Sequence, residues 1–485
     1  MVMKTSIKTF ILLSILLLSG CKHILDIKPI HSMIPKSLED FEAVLLGGYP
    51  RNNFFIKTEM LTDNVYINFN ADGQPSQEQE RWFTFSSMLT APGFQKDPDW
   101  GQLYESIYYA NTVLDYLQGM KVETSETDLY EQVRGEALAL RAFCYFYLIN
   151  FYADVYTPEN LTLPGVPMPL TATDINTNAG NNVRTPIGEV WNQIIQDIEQ
   201  ATVLLSGKRI TDRYRFSSNT LLLFRARVDL MMGRYESAST YALQVMGNYP
   251  LADLSELEAR MTRNEGIKST LAYNYGFVDS QMNREILFFT GGRANGNMFA
   301  YETAVMKPVE ELLNLSKRYG ELTDYRQFIY DPFEENQTIA IKTGKTVYKM
   351  YARQDLLCYY VGFKASEAYL IYAESQARLG QVAPAIQTLN QILTSRMRKD
   401  HLVQLKAEDF NADQALNRVL EERRLELAFD GGLRFMDLRR LGKPKIEHTY
   451  KDARVYTLAE NDPRYLMQIP LSESENSPDM PLNPR

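Results

Sequence analysis

Cysteine, histidine and tryptophan are scarce in this chain, with three, four and three among 485 residues. So few cysteines exclude a disulfide-stapled scaffold. Beyond Cys21, only Cys144 and Cys358 remain. Each sits among apolar and aromatic neighbours and reads as a small buried hydrophobe, and nothing in the sequence supports pairing them as a disulfide. The histidines (His23, His31, His401 and His448) are scattered singly, and no His/Cys pair has zinc-ligand spacing. There is no GxSxG, HExxH or phosphate-loop signature, so the common catalytic and nucleotide-binding motifs are missing. Asp and Asn clusters such as Asp72 with Asn70 are too loose to define a calcium loop, and no metal ligand or cofactor is assigned. Basic excess is lacking too. The formal net charge is -9, and removal of Lys4 and Lys8 with residues 1–20 makes it -9 - 2 = -11. An acidic chain lacks the electrostatic footprint of a nucleic-acid binder.

Long hydrophobic runs are also absent, apart from residues 10–18. That run falls well short of the roughly 20 residues that a spanning helix needs. It follows Lys4 and Lys8 and ends in Leu18-Ser19-Gly20-Cys21. A basic start, a short apolar core and a small-residue exit make a secretory signal peptide. A cysteine at the cleavage point is the pattern of a bacterial lipoprotein, in which the Cys21 thiol is acylated and becomes the first mature residue. No lysine run beside Cys21 adds an electrostatic membrane signal, so lipid must do the anchoring, with more than one acyl chain for stable attachment.

The rest is apolar enough, at 45%, for a substantial core. Trp100, Tyr104, Ile107, Tyr108, Asn111 and Leu114 recur at three- and four-residue steps, one face of a helix. A second helix is expected over residues 130–152, with Arg134, Glu136 and Arg141 among its apolar positions. It must stop before Gly165-Val166-Pro167-Met168-Pro169. Pro186 then stands in the first turn of another helix, which carries Trp191. Trp100 and Trp191 lie on helix faces and read as core.

Two segments repeat each other. Ala226 lies seven residues before Gly233 and Ala238 five after it; Ala373, Gly380 and Ala385 keep the same spacing. Both read as helix, tight turn, helix, the logic of tetratricopeptide-like pairs, with small residues where the backbones approach. By contrast, residues 68–98 and 256–306 are rich in Asn, Gly, Gln and Ser with interspersed aromatics, and read as long functional loops. The tail, residues 452–485, holds five prolines and is expected to lie extended across the helices.

Several motifs together resemble the SusD/RagB family of nutrient-binding outer-membrane lipoproteins. Leu25-Asp26-Ile27-Lys28-Pro29 is similar to the family's opening L-D-x-x-P, and Leu61-Thr62-Asp63-Asn64 to its early acidic-amide motif. Trp100 to Tyr104 with Ala110-Asn111, and Glu136-Ala137 with Arg141-Ala142, match two family helices. The most specific stretch is Glu422-Arg423-Arg424-Leu425-Glu426 leading into Asp430-Gly431 and Arg434-Phe435-Met436-Asp437-Leu438-Arg439-Arg440. Gln468-Ile469-Pro470 and Leu482-Asn483-Pro484 resemble the closing motifs, with Gln468, Leu482 and Asp430 departing from the usual proline, glutamine and glutamate.

The resemblance implies an all-α, tetratricopeptide-like helix-pair scaffold with long loop-rich insertions forming the ligand face. It divides the chain into a signal peptide (1–20), a lipidated tether (21–29), a helical part (30–250), a loop-rich ligand-face region (251–360) and a second helical part with an extended tail (361–485). Residues 21–485 form one compact unit in this reading. The implied function is non-enzymatic capture of oligosaccharides outside the outer membrane and delivery to a SusC-like TonB-dependent transporter, with peptide capture as the alternative. Lys22-His23 departs from the acidic residues that often follow the cysteine in surface-directed lipoproteins of this kind.

Sugars offer apolar faces to aromatic rings and hydroxyl edges to amides, acids and arginine. The early loop supplies Tyr66, Asn68, Asn70, Asp72, Gln74, Arg81 and Trp82; the middle loop supplies Tyr273, Asn274, Tyr275, Arg293, Asn295, Asn297 and Tyr301. Trp82 is the leading single candidate. Glu422 and Glu426, one helical turn apart, invite a glycosidase reading. The arginines crowding 423–440 favour an ion-pair network instead, which would keep both carboxylates ionised and unable to act as a general acid.

Overall fold

A computed structural model of the chain describes residues 35–51, 56–69, 74–86, 97–177, 183–255, 284–290, 306–320, 323–327, 361–477 and 479–485. Cys21, Cys358, Asn70, Asp72, Tyr273, Tyr275, Arg293 and Asn295 lie outside them. Among the described residues, ten helices have eight residues or more: α1 Leu38–Gly47, α2 Pro98–Gln118, α3 Thr127–Tyr152, α4 Ile187–Leu204, α5 Ser218–Met231, α6 Tyr235–Asn248, α7 Ala365–Arg378, α8 Val382–Arg396, α9 Ala412–Glu426 and α10 Leu433–Arg440. The strands form three antiparallel two-stranded ladders: β1 Val65–Ile67 with β3 Met306–Pro308, β2 Ile286–Thr290 with β4 Val361–Lys364, and β5 Ile446–Thr449 with β6 Val455–Leu458. The protein is all-α in class, as expected.

Local chemistry sets the helix ends. Ser37 and Asp40 form a capping box on α1, and Asn411 with Gln414 forms another on α9. Asp97 caps α2, where Pro98 at the first position gives up only an amide that would be unbonded anyway. The two repeats close alike. Gly233 and Gly380 adopt φ of +73° and +74°, and the next residue reaches back to the helix: Arg234 N–H to the Asp229 carbonyl at 2.8 Å, Gln381 N–H to that of Gln376 at 2.8 Å. A side chain would be strained at either glycine. Ala226, Ala238, Ala373 and Ala385 are all fully buried where the helices meet.

The helices stack in chain order, α2 on α3, then α4, α5, α6 and α7, with α8 and α9 both against α7. The two repeats are thus adjacent, and Arg227 of α5 joins them by a two-pronged bond to Glu367 of α7, at 2.7 and 2.6 Å. Trp100 and Trp191 are core residues. The centre of the α2 face is turned from the expected one: Leu103, Ala110, Val113 and Leu117 are buried, while Tyr104, Tyr108 and Leu114 lie at its margin. Helix α3 departs further, being buried all round from Gly135 to Ile149. Its charges tie neighbours together: Arg141 grips Asp197 of α4 at 2.7 and 2.8 Å and Asn111 of α2 at 3.0 Å, while Glu136 takes Arg215 at 2.7 Å. Cys144 on this helix is a free, buried thiol.

The proline segment supplies acceptors instead of a helix. The Pro167 carbonyl accepts from the Tyr104 hydroxyl at 2.6 Å, and the Pro169 carbonyl from Tyr145 at 2.6 Å and Asn111 at 2.9 Å. The tail is only partly extended. It opens with β6, which folds back on β5 just before it, and Leu471–Asn476 is a short helix. Its end is held by Gln468, whose amide pairs with the Asn483 backbone at 2.8 Å in both directions, while Asn483 bonds the Tyr152 carbonyl at 2.8 Å.

Glu422 and Glu426 sit in the core at 2% and 0% exposure. Their partners come from outside the motif that carries them. Arg326 reaches Glu422 at 2.5 Å and Glu426 at 3.0 Å; Arg396 joins Glu426 at 2.8 Å to Glu285 at 2.9 Å; Arg418 holds Glu422 at 2.7 Å. Asp437 pairs with Arg440 three residues on and with Arg423 of α9, while Arg434 pairs with Asp63. Burial alone would raise the Glu426 pKa; Arg396, with Arg326 and Lys364, overcomes it and holds the group at about 2. Burial is likewise overcome at Asp437 by Arg423 and Arg440, again to about 2.

Both pKa values are depressed by folding. The stability they confer is therefore present above the ordinary carboxylate range and lost as pH falls toward 2. Replacing Glu426 with Ala leaves two buried guanidinium groups short of a partner and should cost about 3–5 kcal/mol in urea unfolding at neutral pH. Glu426→Gln should also blunt the loss of stability between pH 5 and pH 2.

Candidate functional site

A two-stranded ladder borders the early loop and the end of the middle region. Strand β1 pairs with β3 in the register Val65↔Pro308, Tyr66↔Lys307 and Ile67↔Met306. The early loop leaves β1 directly, and the middle region ends where β3 begins. The turn before β1 is locked from the far end of the sequence. Arg424 of α9 donates to the Asn64 side chain at 2.8 Å and the Asp63 carbonyl at 2.6 Å. Arg434 of α10 grips the Asp63 carboxylate at 2.8 and 2.6 Å. The early acidic-amide motif and the late arginine-rich motif are two halves of one clasp.

Of the candidates that are described, Tyr66 is 42% exposed. Asn68 and Arg81 are half-buried, and Gln74 is exposed. Trp82 differs from its expected role. It is only 9% exposed, and the Lys57 ammonium lies 5.7 Å from its ring centre. Burial of this large ring beneath the short helix Gln77–Phe83 leaves no open face for stacking. Lys57 in turn bonds Asp97 at 2.5 Å and Asp99 at 3.0 Å. Asp99 is pushed up to about 6 by burial, with Asp97 adding to the effect and Lys57 opposing it.

The sequence reading missed a third contributor, the β5–β6 hairpin. Phe69 meets Tyr450 edge-on at 4.7 Å, and Tyr450 meets Tyr456 at 5.7 Å. The Tyr450 hydroxyl donates to Glu80 at 2.6 Å, and the exposed Lys451 ammonium lies 5.6 Å from the Phe69 and Tyr450 rings. The signal was present as alternation: Ile446-Glu447-His448-Thr449 and Val455-Tyr456-Thr457-Leu458 flank a turn, a hairpin pattern within the proline-bearing tail. His448 pins the hairpin down, stacked between Phe83 at 4.3 Å and Phe85 at 4.5 Å. Its Nδ1 lies 2.7 Å from the Phe83 carbonyl and its Nε2 2.8 Å from that of Thr62. Burial pushes its pKa below the ordinary value, against these two acceptors.

This face combines open rings, amides and a few charges, which suits a polyhydroxyl ligand more than bond cleavage. The carboxylate pair Glu422 and Glu426 is sealed in the core, away from any substrate. Among the described residues, no group of three or more His, Cys, Asp or Glu side chains could hold a metal ion, and no helix is long and apolar enough to cross a membrane.

Two family models match the chain: one described as starch-binding associating with outer membrane, over residues 25–230, and one described as the SusD family, over residues 340–485. A protein of Formosa agariphila named SusD-like protein P38 is 25% identical over 492 residues, covering 90% of this chain and 91% of its own length. Crystal structures of a SusD superfamily protein from Bacteroides thetaiotaomicron and a putative sugar binding protein from Bacteroides vulgatus share the fold. Each has a TM-score of 0.69, at 20% and 21% identity, covering 93% of this chain and 100% and 99% of theirs. The chain belongs to the SusD/RagB family.

Beside the clasp, Glu59 is fully buried, and burial together with Asp430 and Asp63 pushes its carboxyl up to about 8, against the pull of Arg434. A raised pKa means that the folded protein holds a proton which the unfolded chain has already lost. Its contribution is complete below the ordinary glutamate range and disappears as pH rises through about 8. Glu59→Gln, which cannot ionise, should therefore gain stability relative to the wild type between pH 5 and pH 9, on the order of 1 kcal/mol or more. Thermal melts of both proteins at the two pH values check this.

Proposed function

We propose that this chain is a cell-surface glycan-binding lipoprotein that captures oligosaccharides and delivers them to a SusC-like TonB-dependent transporter. The observation that carries the proposal is the β1–β3 ladder. It borders the early loop at β1 and the end of the middle region at β3, and it leaves Tyr66 exposed, while Phe69 beyond β1 packs with Tyr450 and Tyr456 of the hairpin. Rings of this kind stack on sugar C–H faces, and Asn68, Arg81 and Gln74 supply hydrogen bonds to hydroxyls. The family description, starch-binding associating with outer membrane, supports the same ligand class and location.

Capture needs no catalytic group, and Cys21 with its lipid holds the lid at the outer membrane, facing the exterior. The tether of residues 21–29 keeps the binding face near the transporter mouth, where a high effective concentration compensates for weak intrinsic affinity. Asn70, Asp72, Tyr273, Tyr275, Arg293 and Asn295 remain candidate contacts on the same two loops.

Tyr66→Ala should weaken oligosaccharide binding about tenfold, or ~1.4 kcal/mol, in titration calorimetry, while Tyr66→Phe keeps the ring and most of the affinity. Unchanged binding by Tyr66→Ala rejects the ring as a platform. Cys21→Ala should release the protein from the membrane fraction without altering ligand binding by the purified chain; retention on the membrane contradicts lipid anchoring.

A further inference from the structure

Helix α8 is unusual in this charged chain. Residues 382–395 contain no Asp, Glu, Lys or Arg, although 23% of the chain is charged. Its outward side is not covered, since Ala383, Gln387, Gln391 and Thr394 are all exposed. A solvent-facing helix surface is ordinarily studded with charges. The exposed amides and hydroxyl therefore call for a different explanation.

This surface lines a groove of about 610 Å³, within the size range of small-molecule sites. Two extended segments wall it, and both are fixed. On one side the Leu254 N–H bonds the Ser395 carbonyl at 2.9 Å, and Arg396 bonds the Ala252 carbonyl at 3.0 Å. On the other side Asn390 pairs with both backbone groups of Leu405 at 2.8 Å. The groove is therefore preformed, which spares a ligand the entropy of ordering it. Its lining joins Leu251 and Ile386 to the Tyr369 ring, which is 7% exposed. The nearest carboxylate, Asp253, is engaged by Lys399 at 2.9 Å.

Gln387 and Gln391 stand one helical turn apart, so their amides are neighbours along the groove. Each amide offers both donor and acceptor, a match for vicinal hydroxyl pairs. Asn390, the amide that pairs with backbone, is already committed to Leu405. What remains is neutral, doubly functional and hydroxyl-matching, beside an apolar floor. We propose that this groove is a second oligosaccharide subsite for neutral sugars, lined by none of the candidate ligand residues of the two loops. It rests on the glycan reading of the protein and would let one chain hold two stretches of a polysaccharide.

The test is titration calorimetry of the purified mature chain with maltohexaose, cellohexaose, laminarihexaose and xylohexaose. The variants are Tyr66→Ala and the surface double substitution Gln387→Ala/Gln391→Ala, with folding checked by circular dichroism. The expected result is binding that persists in Tyr66→Ala and is weakened at least fivefold when the two glutamines are then replaced as well. If a hexaose binds but its residual binding is indifferent to the glutamines, or Tyr66→Ala abolishes all binding, the groove is not a subsite and the glycan reading stands. If none of the four binds the wild type, the subsite and the neutral-glycan reading fall together.

Discussion

The clasp of Asp63 and Asn64 by Arg424 and Arg434 is the contact on which the β1–β3 ladder depends. It joins residues more than 350 positions apart, and it does so at the turn that launches β1. Bidentate guanidinium-to-carboxylate geometry fixes direction as well as distance. Strand β1 pairs in turn with β3, so orienting this one turn orients the two-stranded ladder. The helix pairs provide rigidity, and the clasp carries it to the ladder.

Behind the clasp lies a chain of buried charges. Arg326, Arg396, Glu285, Glu422 and Glu426 are all at most 2% exposed. Such groups are costly to desolvate, and an apolar core of equal volume is often as stable. What they add here is directional bonding between segments distant in sequence: residues 285 and 326, the end of α8, and α9. The arginine-rich motif is thus a structural device. The same residues that suggest paired catalytic carboxylates in a linear reading serve to anchor the helices to one another.

Periodicity carried most of the scaffold. The paired Ala–Gly–Ala spacings named two helical hairpins with their turns at Gly233 and Gly380, and Trp100 and Trp191 were placed in the core by helix phase alone. Partner choice was not legible, because it is set by tertiary packing: Asp437 takes Arg423 from another helix while Arg434 turns to Asp63. The all-round burial of α3 was hidden for the same reason, since periodicity reports one apolar face and cannot see neighbours on every side. At the candidate site, Tyr66 is exposed, whereas Trp82 packs inward over Lys57. Tyr450 and Tyr456 escaped because two four-residue strands carry too short an alternation to stand out beside the long helical periods.

The central claim is that the ladder-rooted loops and the hairpin form one glycan-binding face. A crystal structure of the purified chain with a bound oligosaccharide tests it most directly. The prediction is a sugar ring packed against Tyr66, with further contacts to the loop that carries Phe69 or to the hairpin that carries Tyr450. A ligand whose tightest contacts avoid both loops and the hairpin would contradict it.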